Sequence, residues 1–183
     1  MKLVILDRDG VINQDLGHYV TCPSAFVFNE GVVEAIALLK RHGYLVAIAT
    51  NQAGIERGFY THQTLAAIHH RMLQTIRQGG GDIDRIVYCP SYDDNHPWRK
   101  PNAGMLREIL DGYGIQATHA VFIGDTVRDM QAGDCVDCQL IMVKTGKGLT
   151  EYPLLPTPLR DKVRLATHLL QACEWLVDRN AVD

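Results

Sequence analysis

The chain has 183 residues, 46% apolar and 21% charged, with a formal net charge of −3. That composition excludes disordered and fibrous classes and suits one domain with a sizeable core, expected to span residues 1–183. A mildly acidic balance argues against nucleic acid, no apolar stretch reaches bilayer-spanning length, and the N-terminus opens on a core strand instead of a signal peptide, so a monomeric cytoplasmic protein acting on a small molecule is expected, with no membrane partner.

The first element, Leu3-Val4-Ile5-Leu6, reads as a strand covered on both faces. It stops at Asp7-Arg8-Asp9-Gly10, two carboxylates one residue apart where open α/β sheets bind their ligands. Side by side they repel unless a cation or a shared proton intervenes; a solvated acidic turn is the competing reading of these four residues. The loop from Asn13 to Glu30 is longer than most connections, and such loops often cover active sites. Val32, Val33, Ile36, Leu38 and Leu39 then supply the apolar face of a helix that ends at His42-Gly43.

The strand Leu45 to Ala49 is followed by Thr50-Asn51-Gln52-Ala53-Gly54, whose hydroxyl, amides and backbone N–H groups suit phosphate oxygens and are also ordinary turn residues. A helix over Thr64 to Arg77 ends at Gly79-Gly80-Gly81, and its His69-His70 pair is expected on an exposed polar face. After the strand Ile86 to Tyr88 and a second long loop, Tyr92 to Arg99, Arg99-Lys100-Pro101 places two cations just before a helix over Ala103 to Tyr113. The strand Ala120 to Ile123 runs into Gly124-Asp125-Thr126-Val127-Arg128-Asp129, a second acidic strand end, with Asp125 alternatively a helix cap. A turn at Cys135 to Cys138 leads into the strand Leu140 to Val143, and a last helix is expected over Lys162 to Val177. The five cysteines are odd in number and scattered, as suits reduced thiols.

Strands alternating with helices predict an α/β protein: a three-layer Rossmann-like fold with a mainly parallel sheet, helices on both faces and a minimal cap of loops. The polar strand ends together describe a site for a dianion. Asp7 and Asp125 suit Mg²⁺, which takes oxygen ligands and keeps positions open for phosphate. Asp7 can attack phosphorus, and Asp9 can protonate the leaving alcohol and then deprotonate water.

The order Asp-x-Asp-Gly, Thr, Lys, Gly-Asp-x-x-x-Asp resembles the haloacid dehalogenase superfamily of phosphatases over about residues 1 to 150. The resemblance implies that Asp7 is the nucleophile, that Asp9 is the acid/base and gives a metal-bound backbone carbonyl, that Asp125 ligates Mg²⁺, and that Thr50 and Lys100 hold the phosphoryl group. Asp129 matches the last acid of the pattern, orienting either Lys100 or its loop.

Asp7 to Asn13, Thr50-Asn51-Gln52 and Arg99-Lys100-Pro101 are similar to the branch that holds heptose 1,7-bisphosphate 7-phosphatases and histidinol-phosphate phosphatases. Asn51 to Gly58 and Lys144 to Gly148 look like the heptose enzymes. The expected reaction is therefore hydrolysis of the 7-phosphate of D-glycero-D-manno-heptose 1,7-bisphosphate, on the way to ADP-heptose and the lipopolysaccharide core, with histidinol phosphate or another small monoester as the alternative substrate. Expected substrate contacts are Asn51, Gln52, His18 and Tyr19, with Arg57, Arg99 or Arg128 on the distal phosphate and Arg57 alternatively a solvated loop charge. The branch's zinc loop is incomplete: Cys89 and His96 remain, Ser91 and Trp98 stand at other ligand positions, and zinc is not expected. The shortened loop is instead expected to be held by Trp98 packing and by Pro90 and Pro97.

Overall fold

The structure, a computed structural model, describes residues 2–178; residues 1 and 179–183 of the expected domain lie outside the described residues. In chain order the elements are β1 (Lys2–Leu6), α1 (Val32–Arg41), β2 (Tyr44–Asn51), α2 (His62–Gln78), β3 (Arg85–Cys89), α3 (Gly104–Tyr113), β4 (Ala120–Gly124), α4 (Val127–Asp134), β5 (Gln139–Val143), the short α5 (Gly148–Glu151) and α6 (Thr157–Arg160), β6 (Val163–Ala166) and α7 (Leu169–Asp178). Among the described residues the strands form one parallel sheet in the order β3-β2-β1-β4-β5-β6. The order runs outward in both directions from β1, so its reversal falls between β1 and β4. A doubly wound sheet opens its ligand crevice at that reversal, beyond the carboxyl ends of the strands.

Alternation along each strand divides the core into two layers. Val4 and Leu6, Val46 and Ile48, and Val121 and Ile123 face α1, α2 and α7, whereas Leu3 and Ile5, Ala47 and Ala49, and Phe122 face α3 and α4. With β1 covered on both sides, all of Leu3 to Leu6 is withdrawn from water. Each such side chain contributes roughly 1.5–3 kcal/mol, which anchors the strand whose end carries Asp7. This is the three-layer Rossmann-like arrangement expected. Its cap is the loop between β1 and α1, pinned where the Asn29 side chain donates to the carbonyls of Gly10, Val11 and Asn13.

The C-terminal segment departs from expectation. Instead of one helix over Lys162 to Val177, Val163–Ala166 is a strand paired with β5, and the helix begins at Leu169. Val163 and Ala166 pack into opposite layers, and the Arg164 guanidinium lies 4.2 Å from the Trp175 ring centroid. The apolar pattern of this segment fits either period, and pairing with β5 decided it. The start of α7 is marked by Gln171 N–H donating to His168 Nδ1 (3.2 Å) while its side chain accepts from Thr167 N–H (2.7 Å). No helix among the described residues is long and apolar enough to cross a membrane.

Candidate active site

Because β1 and β4 are neighbours, the residues that follow them meet: Asp7 N–H donates to Ile123 O (2.9 Å), bringing Asp7 beside Asp125. Carboxylate oxygens of Asp7, Asp125 and Asp129 lie within 4.8 Å of one another, all three side chains buried. Lys100, 2% exposed, places Nζ 2.9 Å from Asp7 Oδ1 and 2.7 Å from Asp129 Oδ1. One ammonium thus faces three carboxylates. Burial pushes Asp7 and Asp125 well above the ordinary carboxyl range, the Asp129 charge adds to both, and Lys100 opposes the shift. Asp125 Oδ1 is buried with no hydrogen-bond partner. A bare carboxylate oxygen in an over-charged oxygen cluster suits a hard divalent cation such as Mg²⁺.

The expected metal set was Asp7, Asp9 and Asp125. Asp9 belongs to that set through its main-chain carbonyl, on which the side-chain cluster does not bear; Asp129 joins Asp7 and Asp125 there as a third carboxylate. Asp129 is engaged on both oxygens, Oδ1 with Lys100 and Oδ2 with Thr126 Oγ1 (2.7 Å) and the N–H groups of Thr126 and Asp125. It both holds Lys100 and caps α4.

Asp125 is seated by a segment that the sequence marked only by resemblance. Lys147 N–H donates to Asp125 Oδ2 (2.8 Å), and Thr145 Oγ1 donates to Gly10 O (2.7 Å). A Cβ on either Gly10 or Gly146 would fall on the Asp125 carboxylate, and Gly146 has φ +58°. Gly146→Ala is therefore expected to lose about 2–4 kcal/mol of stability, from left-handed backbone plus overpacking. It should also weaken binding of Mg²⁺ at least tenfold, read from a calorimetric titration with the ion; parent-like binding would refute this seat for Asp125.

The Asp9 carboxylate, 36% exposed, accepts from Arg8 Nη2 (2.7 and 2.9 Å), Asn13 Nδ2 (2.9 Å) and Gln52 Nε2 (2.8 Å). Burial raises its pKa, but Arg8 and these donors outweigh that and hold Asp9 below the usual range. Arg8 itself is buried and meets His69 Nε2 at 3.4 Å. His69 is thus not on an exposed face as expected. Burial first, then Arg8, lowers its pKa to about 4, leaving a neutral acceptor for the guanidinium.

Gln52 and Asn51, expected to touch substrate, have their amides engaged within the protein. Gln52 Nε2 also donates to Thr50 Oγ1 (3.0 Å), while Gln52 Oε1 accepts from Tyr60 OH (2.5 Å), a residue that sequence reasoning missed. Asn51 Oδ1 accepts from Lys100 N–H (3.0 Å) and Asn51 Nδ2 donates to Lys100 O (3.1 Å). These two residues hold Asp9, Thr50 and Lys100 in register across three strand ends.

A cavity of about 690 Å³ opens beside Asp9 and Asn51, with His18, Tyr19, Phe59 and Lys147 also on its walls. The expected contacts His18 and Tyr19 are therefore at the site, Tyr19 with its ring centroid 5.2 Å from that of Phe59. The three arginines expected on a distal phosphate do not line this cavity. Arg57 lies over the Tyr92 ring at 5.4 Å; Arg99 donates to Asp94 Oδ1 (3.0 Å) and Ser91 O (3.1 Å); Arg128 donates to both Asp94 oxygens (2.7 and 3.3 Å). Asp94, depressed well below the usual range by Arg128 and then Arg99, ties the loop before Lys100 to α4.

In that loop Cys89 Sγ lies 3.5 Å from His96 Nδ1, whereas Ser91 Oγ donates to Glu56 Oε2 (2.7 Å). The loop is held mainly by these polar ties. Trp98, expected to anchor it, stays 37% exposed, with its ring edge against Gly104.

Residues 97–166 match a family model described as HAD-hydrolase-like. The chain is 40% identical to the D-glycero-beta-D-manno-heptose-1,7-bisphosphate 7-phosphatase of Neisseria meningitidis serogroup A, over 99% of this chain and 97% of that protein. It is 45% identical to the protein of the same name from Pseudomonas aeruginosa, over 81% and 84%. Its fold is similar to the crystal structure of D,D-heptose 1,7-bisphosphate phosphatase from B. bronchiseptica complexed with magnesium and phosphate, with a TM-score of 0.93, 37% identity, and 98% and 99% of the two chains covered.

Proposed function

The chain belongs to the haloacid dehalogenase-like hydrolases, as a phosphoric monoester hydrolase, and on that premise we propose that it removes the 7-phosphate from D-glycero-D-manno-heptose 1,7-bisphosphate through an aspartyl-phosphate at Asp7. The observation that carries the reading is the placement of Asp7, braced by Lys100 within an oxygen cluster, two residues before an Asp9 that opens on a sugar-sized cavity. The names of the relatives favour the heptose substrate over histidinol phosphate.

Asp7 and Asp125, with the Asp9 main-chain carbonyl, would hold Mg²⁺, and Asp129, engaged on both oxygens, would stand behind them. When bound, the ion offsets repulsion between these carboxylates and the phosphate dianion. Asp7 attacks phosphorus and the bond to the C7 oxygen breaks, that oxygen taking a proton from Asp9. Arg8 favours ionised Asp9 at rest; an entering dianion beside it raises its proton affinity, so it is loaded when an acid is needed. Ionised again, Asp9 takes a proton from water, which attacks phosphorus; the bond to Asp7 breaks and inorganic phosphate leaves. Thr50 and Lys100 hold the phosphoryl oxygens as charge moves between them.

The reading places the chain, as a cytoplasmic monomer, in the supply of nucleotide-activated heptose for the lipopolysaccharide core. With Mg²⁺ present, kcat/KM is expected to be highest for the 1,7-bisphosphate among sugar bisphosphates, sugar monophosphates and histidinol phosphate. Preference for histidinol phosphate would overturn the assignment.

A further inference from the structure

Resting on the acid/base reading of Asp9, we infer that His69 is a positioning residue of the active site, which aims the Asp9 carboxyl at the leaving oxygen by holding the far side of Arg8. The buried residues of α2 are Leu65, Ile68, His69, Met72 and Ile76, so His69 is the polar member of an apolar stripe. An imidazole there gives up its water, which is tolerated where a partner replaces the lost hydrogen bonds. That partner is Arg8, reached across 61 positions of sequence, with Nη1 3.4 Å from His69 Nε2. Both side chains are buried.

The guanidinium is held on two sides. Nη2 donates to both Asp9 oxygens (2.7 and 2.9 Å) and Nε reaches Oδ1 at 3.3 Å, which leaves Nη1 as the nitrogen the carboxylate does not engage. The Phe26 ring, with its centroid 5.9 Å from the guanidinium carbon, packs there but sets no direction for Nη1. His69 sets it. Arginine offers only donors, so His69 must present a lone pair, with Nε2 bare and the ring proton on Nδ1. Without that acceptor a buried N–H is stranded, and the guanidinium turns toward another acceptor, drawing the Asp9 carboxylate with it. Asn13 Nδ2 (2.9 Å) and Gln52 Nε2 (2.8 Å) still hold Asp9, and the bond to His69 is long, so the expected loss is partial. Arg8 and Asp9 line the sugar-sized cavity and His69 does not, so its effect reaches the reaction without contact to the sugar.

The test follows kcat/KM for heptose 1,7-bisphosphate, phenyl phosphate and p-nitrophenyl phosphate in the parent, His69→Leu, His69→Gln and Asp9→Asn, with Mg²⁺ present. The two aryl esters differ in how much the leaving oxygen needs a proton, since p-nitrophenolate departs without one. In the parent the aryl esters should lie close together, and Asp9→Asn should spread them apart. His69→Leu is expected to lose about tenfold on the heptose substrate, about threefold on phenyl phosphate and less than about twofold on p-nitrophenyl phosphate, as a misplaced general acid does. His69→Gln, whose amide oxygen accepts from Nη1, should return most of that loss. In an Arg8→Met background His69→Leu should change nothing further, because its effect runs through Arg8. Equal losses on the two aryl esters, a further loss in the Arg8→Met background, or a glutamine no better than leucine overturns the assignment. Should His69→Leu not fold, nitrogen NMR of the parent decides: Nε2 of His69 is expected bare and Nδ1 protonated, and a proton on Nε2 rules out the bond from Arg8. A parent that spreads the aryl esters as widely as Asp9→Asn sinks the acid/base reading of Asp9 itself, whereas close esters in both the parent and His69→Leu sink only the role of His69.

Discussion

Asp7→Asn is expected to abolish turnover and, in the presence of chelator, to melt at a higher temperature than the parent. The first half follows from the chemistry: an amide is no nucleophile toward phosphorus, and losing the attacking group of a covalent mechanism costs on the order of 10⁴-fold or more in kcat. The second follows from the charge count around it. Asp7, Asp125 and Asp129 share one buried ammonium, and both Asp7 and Asp125 are pushed upward because ionising them there is costly. Asparagine keeps an oxygen for Arg8 N–H, which donates to Asp7 Oδ1 at 2.7 Å, and for Lys100, while removing one of the repelling charges. A gain of roughly 1–3 kcal/mol is expected, or about 2–4 °C per kcal/mol for a chain of this size. Mg²⁺ should stabilise the parent more than the variant, because ligand binding to the native state alone adds to stability. Calorimetry with and without Mg²⁺, beside a phosphate-release assay, checks both halves. Retained turnover would remove Asp7 as nucleophile, and a lower melting temperature in chelator would contradict an over-charged cluster.

What sequence reasoning reached was set by how local each signal is. Apolar runs that stop abruptly at Asp7, Thr50 and Asp125 mark strand ends whatever the partner strand, and parallel pairing then brings those ends to one edge of the sheet. Tertiary pairings leave no such mark. Gln52 lies 43 positions from Asp9, and Arg8 lies 61 from His69; each is an ordinary polar residue until folding supplies its partner. The same holds for Asp94, whose pairing with Arg99 and Arg128 nothing in the sequence marks. The strand at Val163–Ala166 was missed for a different reason, since its residues suit both periods and only the open edge of β5 distinguishes them. Tyr60, whose hydroxyl fixes the orientation of the Gln52 amide, carried no signal at all.

Lys100→Met is the change expected to damage folding most. Lys100 is fully enclosed, with its main chain held at both ends by the Asn51 amide, its ammonium between Asp7 and Asp129, and the Phe122 ring centroid 5.5 Å away. Burial disfavours the ammonium, but Asp129 and then Asp7 outweigh it and raise the lysine's proton affinity. Methionine fills a similar volume but leaves three buried carboxylates with no counter-charge, and breaking a buried pair in this way costs about 3–5 kcal/mol. Unfolding in urea with chelator should show that loss with an unchanged m value, since the surface exposed on unfolding is the same. Mg²⁺ should return part of it by occupying the neighbouring oxygens. It cannot return activity, because the donor to the phosphoryl group is absent, and kcat should stay roughly 10²–10³-fold low. Arginine is no substitute in a seat bounded by Phe122 and the Asn51 clamp, where a planar fork replaces a compact point charge. The decisive comparison is the double variant with Asp129→Asn: if the loss comes from stranded charge, neutralising Asp129 recovers part of the stability of Lys100→Met, and if it comes from packing alone the two losses simply add.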